Sequence, residues 1–392
     1  MNARHARAAA VTLAGFTTFL SLYSPQPILP LIAAGLGVAE AATAATVTAA
    51  LVAVAMVAPF AGAISDRFGR KRLIAGACLA LAVPTLLAAS AQSLEMLLLW
   101  RFLQGLAMPF IFTVAVAYIG EETEGAEGIR LAGIYGVGTI LGGFGGRLVA
   151  GLAAELAGWR AGFAVIGVFT LAAGLAVALL LPAEQRFRAQ RGGVRAQLAT
   201  WRAHLGNARL LATCAIGFLM LFSNVAVYTF VTLHLAAPPF GLSPAAMALV
   251  FAVYLVGAAT TAGATALTVR FGRPATLALV AALAAAGLVA TLGSSLAAVV
   301  AGLAMVSGGL LVVQNLALGF LGVAVSQGRS AAVGMYVTTY YVGGALGGVV
   351  PALAWQAVGW PGVVGAVLPA IVGLGVLGWR FWGEAGGGAT RR

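Results

Sequence analysis

Charge is scarce in this chain. Of its 392 residues, 8% are Asp, Glu, Lys or Arg and 61% are hydrophobic. Soluble globular proteins carry roughly a quarter charged residues, so an aqueous fold is excluded and the chain belongs in lipid. Acids are scarcer still. The ten are Glu40, Asp66, Glu95, Glu121, Glu122, Glu124, Glu127, Glu155, Glu184 and Glu384, and none falls in the middle of an apolar run. Cysteine is nearly absent: Cys78 and Cys214 lie within apolar segments and read as packing residues, not as a disulfide or metal pair. Within the runs there is no His, Asp or Glu cluster at metal-ligand spacing, no evident nucleophile–base pair and no phosphate-binding loop. An enzyme, a metal, a cofactor and direct use of ATP are therefore not expected. Long polar segments are missing too. The longest, 183–207, is too short for a soluble output domain, which argues against a sensor or scaffold.

What is present is a series of apolar runs. Twelve are long enough to cross a bilayer as helices: 9–32, 43–64, 73–92, 95–118, 130–155, 160–182, 208–235, 244–266, 274–293, 295–320, 331–355 and 360–382. Helices follow because every backbone polar group in lipid must be satisfied internally, and barrel strands would be shorter and alternating. The net charge of +12 could suggest nucleic acid, but its distribution argues for topology instead. With the N-terminus inside, all but three of the 22 Lys and Arg fall on cytoplasmic segments. The exceptions are Arg160, on the outer side, and Arg101 and Arg147, within spans. This asymmetry places both termini in the cytoplasm. Arg4 and Arg7 before an apolar run, with Ala39-Glu40-Ala41 downstream, resemble a signal peptide. The run is long for that purpose, and its loss would leave eleven spans, so it is expected to remain as the first helix.

The chain repeats itself. Arg67-Phe-Gly69-Arg70 recurs as Arg270-Phe-Gly272-Arg273, offset by 203. Gly133-Ile-Tyr135 recurs as Gly334-Met-Tyr336, Gly142-Gly143 as Gly343-Gly344, Gly146 as Gly347 and Gly158-Trp159 as Gly359-Trp360, all offset by 201. The expected organisation is an N-terminal six-helix half, 1–182, a cytoplasmic linker, 183–207, and a C-terminal six-helix half, 208–392.

The segment Gly62-Ala-Ile-Ser-Asp66-Arg67-Phe-Gly69-Arg70-Lys71-Arg72 sits between the second and third runs. It resembles the loop between helices 2 and 3 of major facilitator superfamily transporters. That resemblance implies an all-α integral membrane fold of twelve helices in two pseudo-symmetric six-helix bundles. It also implies that Gly62, Asp66, Arg67, Gly69 and Arg70 form a gating loop that latches the halves when the cavity opens outward. The second copy has Val269 in place of Asp66. Helix 4 carries Arg101-Phe-Leu-Gln104-Gly105, similar to a family pattern assigned to proton coupling. Arg101 is roughly 9 Å inside the outer end, at 1.5 Å per residue. A charge at that depth is functional by default; the alternatives are snorkelling or a pair with Glu95. On helix 5, Gly138, Gly142 and Gly146 resemble the glycine-rich motif of bacterial drug:proton antiporters and clear one face for close helix contact. Arg147 stands where that motif has proline. It either pairs with Glu155 or faces the cavity.

The remaining polar residues inside runs concentrate on helices 1, 4, 7 and 10: Tyr23 and Gln26, Gln104, Asn224 and Tyr228, Gln314 and Asn315. These helices line the central cavity in the family. Helix 11 adds Thr338, Thr339, Tyr340 and Tyr341. Pro25, Pro27 and Pro30 break the hydrogen bonding of helix 1. The expected substrate cavity comprises Tyr23, Gln26, Arg101, Gln104, Arg147, Asn224, Tyr228, Gln314 and Asn315. Two deep arginines without a deep acid favour anionic or neutral substrates, since guanidinium suits carboxylate or phosphate. The expected function is a monomeric secondary transporter of the bacterial inner membrane. It would export a small organic compound by rocker-switch alternating access, with protons as coupling ion, carried unusually by Glu95 or Glu155. The alternative is a uniporter or organic-anion exchanger without proton coupling.

Overall fold

The computed structural model describes residues 3–185, 201–325 and 327–383; Arg186, Arg188, Arg191, Arg195, Glu384, Arg391 and Arg392 of the charge pattern lie outside them. The described residues are almost all helical and contain no strand. In order, the helices are α1 (Ala3–Tyr23), a 3-10 turn (Gln26–Ile28), α2 (Leu29–Leu36), α3 (Glu40–Thr43), α4 (Ala45–Phe68), α5 (Arg70–Ala88), α6 (Leu94–Glu122), α7 (Gly125–Leu180), α8 (Ala208–Ala236), α9 (Pro244–Val250), α10 (Val253–Ala290), α11 (Leu296–Ala324), α12 (Arg329–Val358) and α13 (Trp360–Phe381).

Among the described residues, eleven stretches are long and apolar enough to cross a membrane. One of them, α7, has 56 residues. At 1.5 Å per residue that is ~84 Å, far beyond a hydrocarbon core of ~30 Å. It is two spans, because Ala157 (φ −143°, ψ 21°) and Gly158 (φ 79°, ψ 171°) interrupt the helix. At the starts of α6 and α8 a side chain accepts a free N–H group of the first turn. Ser93 Oγ accepts from Met96 N at 3.3 Å, and Asn207 Oδ1 from Leu210 N at 3.1 Å.

The sequence repeat is also a repeat of contacts. Gly69 and Gly272, 203 apart, turn the chain between spans at φ 89° and 78°. Gly158 and Gly359, 201 apart, do so at φ 79° and 67°. Each is a conformation that side chains with a Cβ adopt at a cost. Against α1, the glycines of α7 meet bare backbone. A Cβ on Gly138 would lie 2.5 Å from the Thr12 carbonyl oxygen, and one on Gly142 or Gly146 would strike the Phe16 or Leu20 carbonyl. In the second half, Gly343 and Gly347 of α12 meet the Phe218 and Phe222 carbonyls of α8 in the same way. The α1/α7 and α8/α12 pairs are thus held at backbone distance by equivalent residues.

The halves meet mainly along α4 and α12. One face of the bundle carries Arg4, Arg7, Arg67, Arg70, Lys71, Arg72 and Arg130 beside Asp66, Glu121, Glu122 and Glu127; we call it the basic face. On it, Arg4 pairs with Glu127 at 3.8 Å and Arg7 with Glu122 at 3.9 Å, both within the first half. Contacts between the halves lie from the midplane to the far face. Thr48 Oγ1 donates to the Ala345 carbonyl at 3.3 Å, Glu155 Oε2 accepts from Ala245 N at 3.2 Å, and Gly151 packs on Pro244 and Ala248. Glu155, Gly151, Pro244 and Ala248 thus join the halves at the far face.

Candidate functional site

The site begins with the break in helix 1. Pro25 has no N–H, so the Ser21 carbonyl loses its helical partner; α1 ends at Tyr23, and the chain resumes at Leu29 after the 3-10 turn. Freed carbonyls in lipid must find donors. Arg101 supplies them. Its side chain is fully buried and donates to the carbonyls of Ser21 (2.9 Å), Leu22 (2.5 Å) and Thr46 (2.9 Å), and to Gln104 Oε1. Four of its five N–H groups are engaged, all on helix ends or its own helix. Arg101 and Gln104 tie α1, α4 and α6 together and do not line the cavity described next. Glu95, at the start of α6, is not a partner.

The second deep arginine is in a different situation. Arg147 is 2% exposed and lines a cavity between the halves of about 160 Å³. Its Nε donates to Gln26 Oε1 at 2.7 Å, and one terminal nitrogen donates to the Gly143 carbonyl at 2.7 Å. Three rings hold its guanidinium, with centroids at 4.7 Å (Tyr23), 4.7 Å (Phe251) and 4.6 Å (Tyr254). Such contacts stabilise a desolvated cation by ~2 kcal/mol or more. Of the two sequence alternatives for Arg147, the structure has Glu155 bonded to the N-terminus of α9 and Arg147 among the cavity-lining residues. Three of the five N–H groups of Arg147 carry no hydrogen bond.

Gln26 carries the connection onward. Its Nε2 donates to Thr229 Oγ1 of α8 at 3.1 Å, joining the first half to the second. Across the cavity, the Tyr254 hydroxyl donates to Asn224 Oδ1 at 3.0 Å. Tyr23, Arg147, Asn224, Tyr254, Gln314 and Tyr340 are the polar or charged lining, with Thr139, and Phe19, Ile140, Phe144, Met220, Leu221 and Leu311 the apolar lining. Arg147 is the one formally charged residue among those that line it.

The expected site residues therefore divide. Tyr23, Arg147, Asn224 and Gln314 line one cavity, with Gln26 buried directly behind Arg147. Tyr228 lies behind Tyr254, ring centroids 4.6 Å apart, with its hydroxyl on the Leu303 carbonyl at 2.7 Å. Asn315 is exposed and its amide returns to the Leu311 carbonyl. Helix 4 contributes nothing to the lining, whereas α7, α10 and α12 do. Tyr254 and Phe251 were not read from the sequence; an i, i+3 aromatic pair with one polar tip inside a span is the signal that marks them.

On the basic face, Arg70 collects the loop. It pairs with Asp66 at 2.5 Å, donates to both oxygens of Glu121 at 2.6 and 3.0 Å, and bonds Ser65. Glu184 accepts from the backbone N of Arg70 (3.1 Å) and Lys71 (3.2 Å), capping α5. Arg67 lies over the ring of Phe68, and a side chain on Gly62 would meet open space. Asp66, Arg70 and Glu121 all belong to the first half, so in this state the loop's ion pairs brace that half internally.

Comparison with known proteins agrees with this architecture. The family model described as Major Facilitator Superfamily matches residues 11–348. An uncharacterized MFS-type transporter of Bacillus subtilis, YybF, is 30% identical over 90% of this chain and 88% of its own length. The inner membrane transport protein YnfM of Escherichia coli is 30% identical over 93% of this chain and 87% of its own. Among solved structures, a D-xylose-proton symporter superposes with a TM-score of 0.79 at 14% identity, covering 97% of this chain and 98% of that one. That last likeness concerns the fold alone.

Proposed function

The chain belongs to the major facilitator superfamily, and we propose that this multi-pass membrane transporter exports a small organic anion or neutral compound through the cavity that Arg147 lines. The single observation behind this is the Arg147 guanidinium. It is fixed by three rings, faces the space between the halves, and has unbonded N–H groups with no acid beside it. Such a fork complements carboxylate or phosphate and repels cations. Export is supported by the likeness of Gly138, Gly142 and Gly146 on helix 5 to the glycine-rich motif of bacterial drug:proton antiporters. An inner-membrane location with the basic face in the cytoplasm is supported by the charge asymmetry. In that orientation the Glu155–Ala245 bond and the Gly151 contact, which join the halves, lie on the outer side.

A second reading is favoured by the absence of any carboxylate among the cavity-lining residues: exchange or uniport of an anion without proton coupling. The experiment is transport in proteoliposomes with and without an imposed pH gradient, combined with a thermal-shift screen of anionic, neutral and cationic compounds. Flux that follows the pH gradient supports proton-coupled export, and flux that ignores it supports exchange. Stabilisation by lipophilic cations alone would overturn the anionic cavity.

A further inference from the structure

We propose that the cavity selects compact aromatic monocarboxylates, carboxylate on Arg147, ring among the lining aromatics and a polar substituent on Asn224 and Gln314. This rests on the reading of the central cavity as the transport site and narrows it to a substrate class.

Size comes first. Drug-sized ligands occupy pockets of ~300–1,000 Å³, whereas an apolar cavity of ~150 Å³ takes up a single benzene ring. The space here is about 160 Å³, which admits one ring with small substituents and excludes multi-ring compounds.

Charge comes second. One cation lines the space, its orientation set by Gln26 and the Gly143 carbonyl, leaving three N–H groups for a ligand. That is one carboxylate's complement. A second negative charge on the ligand would have no partner, and buried unpaired charge is costly.

Shape and polarity come third. Phe19, Phe144 and Tyr340 supply ring faces and edges from α1, α7 and α12. Offset and edge-to-face ring contacts favour a flat aromatic body over a saturated one of equal size. On the α8 and α11 side, Asn224 Oδ1 is taken by the Tyr254 hydroxyl while its amide N–H₂ carries no bond, and the Gln314 amide carries none. These groups suit a hydroxyl or similar substituent distant from the carboxylate. The two ends of the ligand then belong to different halves, so one bound molecule touches both bodies that must move.

The test uses purified full-length protein and a matched ligand series: para-hydroxybenzoate, benzoate, para-hydroxybenzamide, cyclohexanecarboxylate and a three-ring carboxylate. Thermal shift and titration calorimetry give the dissociation constants. The two benzoates should bind. The neutral amide and the saturated ring should be weaker by about tenfold or more, and the three-ring acid should not bind. Arg147→Gln should weaken benzoate binding by at least about tenfold, since hydrogen bonds to charged groups are the stronger kind. The double variant Asn224→Ala with Gln314→Ala should lose the preference for the hydroxylated acid over benzoate. Equal binding of the three-ring acid, the amide or the saturated ring by the wild type overturns the proposal, and that series needs no variant to fold. If the wild type transports other anions in an Arg147-dependent way but ignores the benzoates, this substrate class falls and the transporter reading stands. If Arg147→Gln changes the transport of no anion, the central-cavity reading falls as well.

Discussion

Arg147 and Gln26 share a 2.7 Å hydrogen bond, Nε to Oε1, and Gln26 hands the connection to Thr229 of the other half. A cation that faces the cavity is therefore wired to the junction between two bodies that have to separate. Gln26→Leu removes both bonds. A buried donor left unsatisfied costs ~1–3 kcal/mol, so the variant should show a lower Tm and weaker anion binding together. Gln26→Glu would restore an acceptor and add a charge beside Arg147. It should hold or raise Tm while abolishing anion binding, because the guanidinium gains an internal counter-ion. Calorimetry on both variants reads this out, and normal anion binding by Gln26→Glu would refute it.

The two buried arginines should separate in behaviour. Arg101→Ala strips donors from the Ser21, Leu22 and Thr46 carbonyls, a loss of ~3 kcal/mol or more by the cost of unpaired buried polar groups. Its effect is expected on Tm and on the amount of folded protein, with ligand affinity nearly unchanged in whatever folds. Arg147→Gln should do the reverse. If Arg101→Ala kept its Tm and lost affinity, the capping role would be wrong.

That difference shows what the sequence conveys and what it does not. Two arginines of similar depth look alike as letters. Only the three-dimensional placement of the Pro25 break shows that one of them faces freed carbonyls and the other a cavity. Spans, repeat and turns were legible because they depend on local chemistry: apolar length, glycines at positive φ, prolines without N–H. The offsets that pair Gly69 with Gly272 and Gly158 with Gly359 carried over directly into equivalent turns. Lining depends on which face a helix presents. Tyr254 was missed, and Tyr228 and Asn315 were expected in the cavity, because polarity within a run does not state direction.

The junction at the far face rests on close backbone contacts. A Cβ on Gly151 would lie 2.6 Å from the Pro244 carbonyl oxygen, with Ala248 equally near. Gly151→Leu should push α7 and α9 apart and shift the population toward the state open on the far side. With Cys78 and Cys214 replaced by serine, a cysteine introduced at Ala345 should label faster with an impermeant maleimide in the Gly151→Leu background than without it. An unchanged rate would show that this contact does not hold the junction.

The loop on the basic face offers a graded comparison. Arg70 is held by both oxygens of Glu121 and by Asp66, whose side chain is 25% exposed. Asp66 makes one contact with a largely buried guanidinium that keeps both Glu121 oxygens, so Asp66→Asn should lower Tm only modestly. Glu121→Gln, which breaks a bidentate pair, should lower it more. If Asp66→Asn nevertheless reduces transport severely, the acid acts in the opposite state, where the halves would close over this face. Intact transport in Asp66→Asn would remove the latch.

The glycine-to-carbonyl ladders of α1 with α7 and of α8 with α12 have a mechanical consequence. Two helices in backbone contact along three successive turns, as α1 and α7 are, or along two, as α8 and α12 are, cannot slide or splay without breaking several contacts at once, so each pair behaves as a keel. Tyr23, Gln26 and Arg147 are mounted on one keel, and Asn224, Thr229 and Tyr340 on the other. The line between the two keels thus runs through the cavity, and there the Gln26 amide ties one to the other through Thr229, while Thr48–Ala345 and Glu155–Ala245 tie the halves elsewhere.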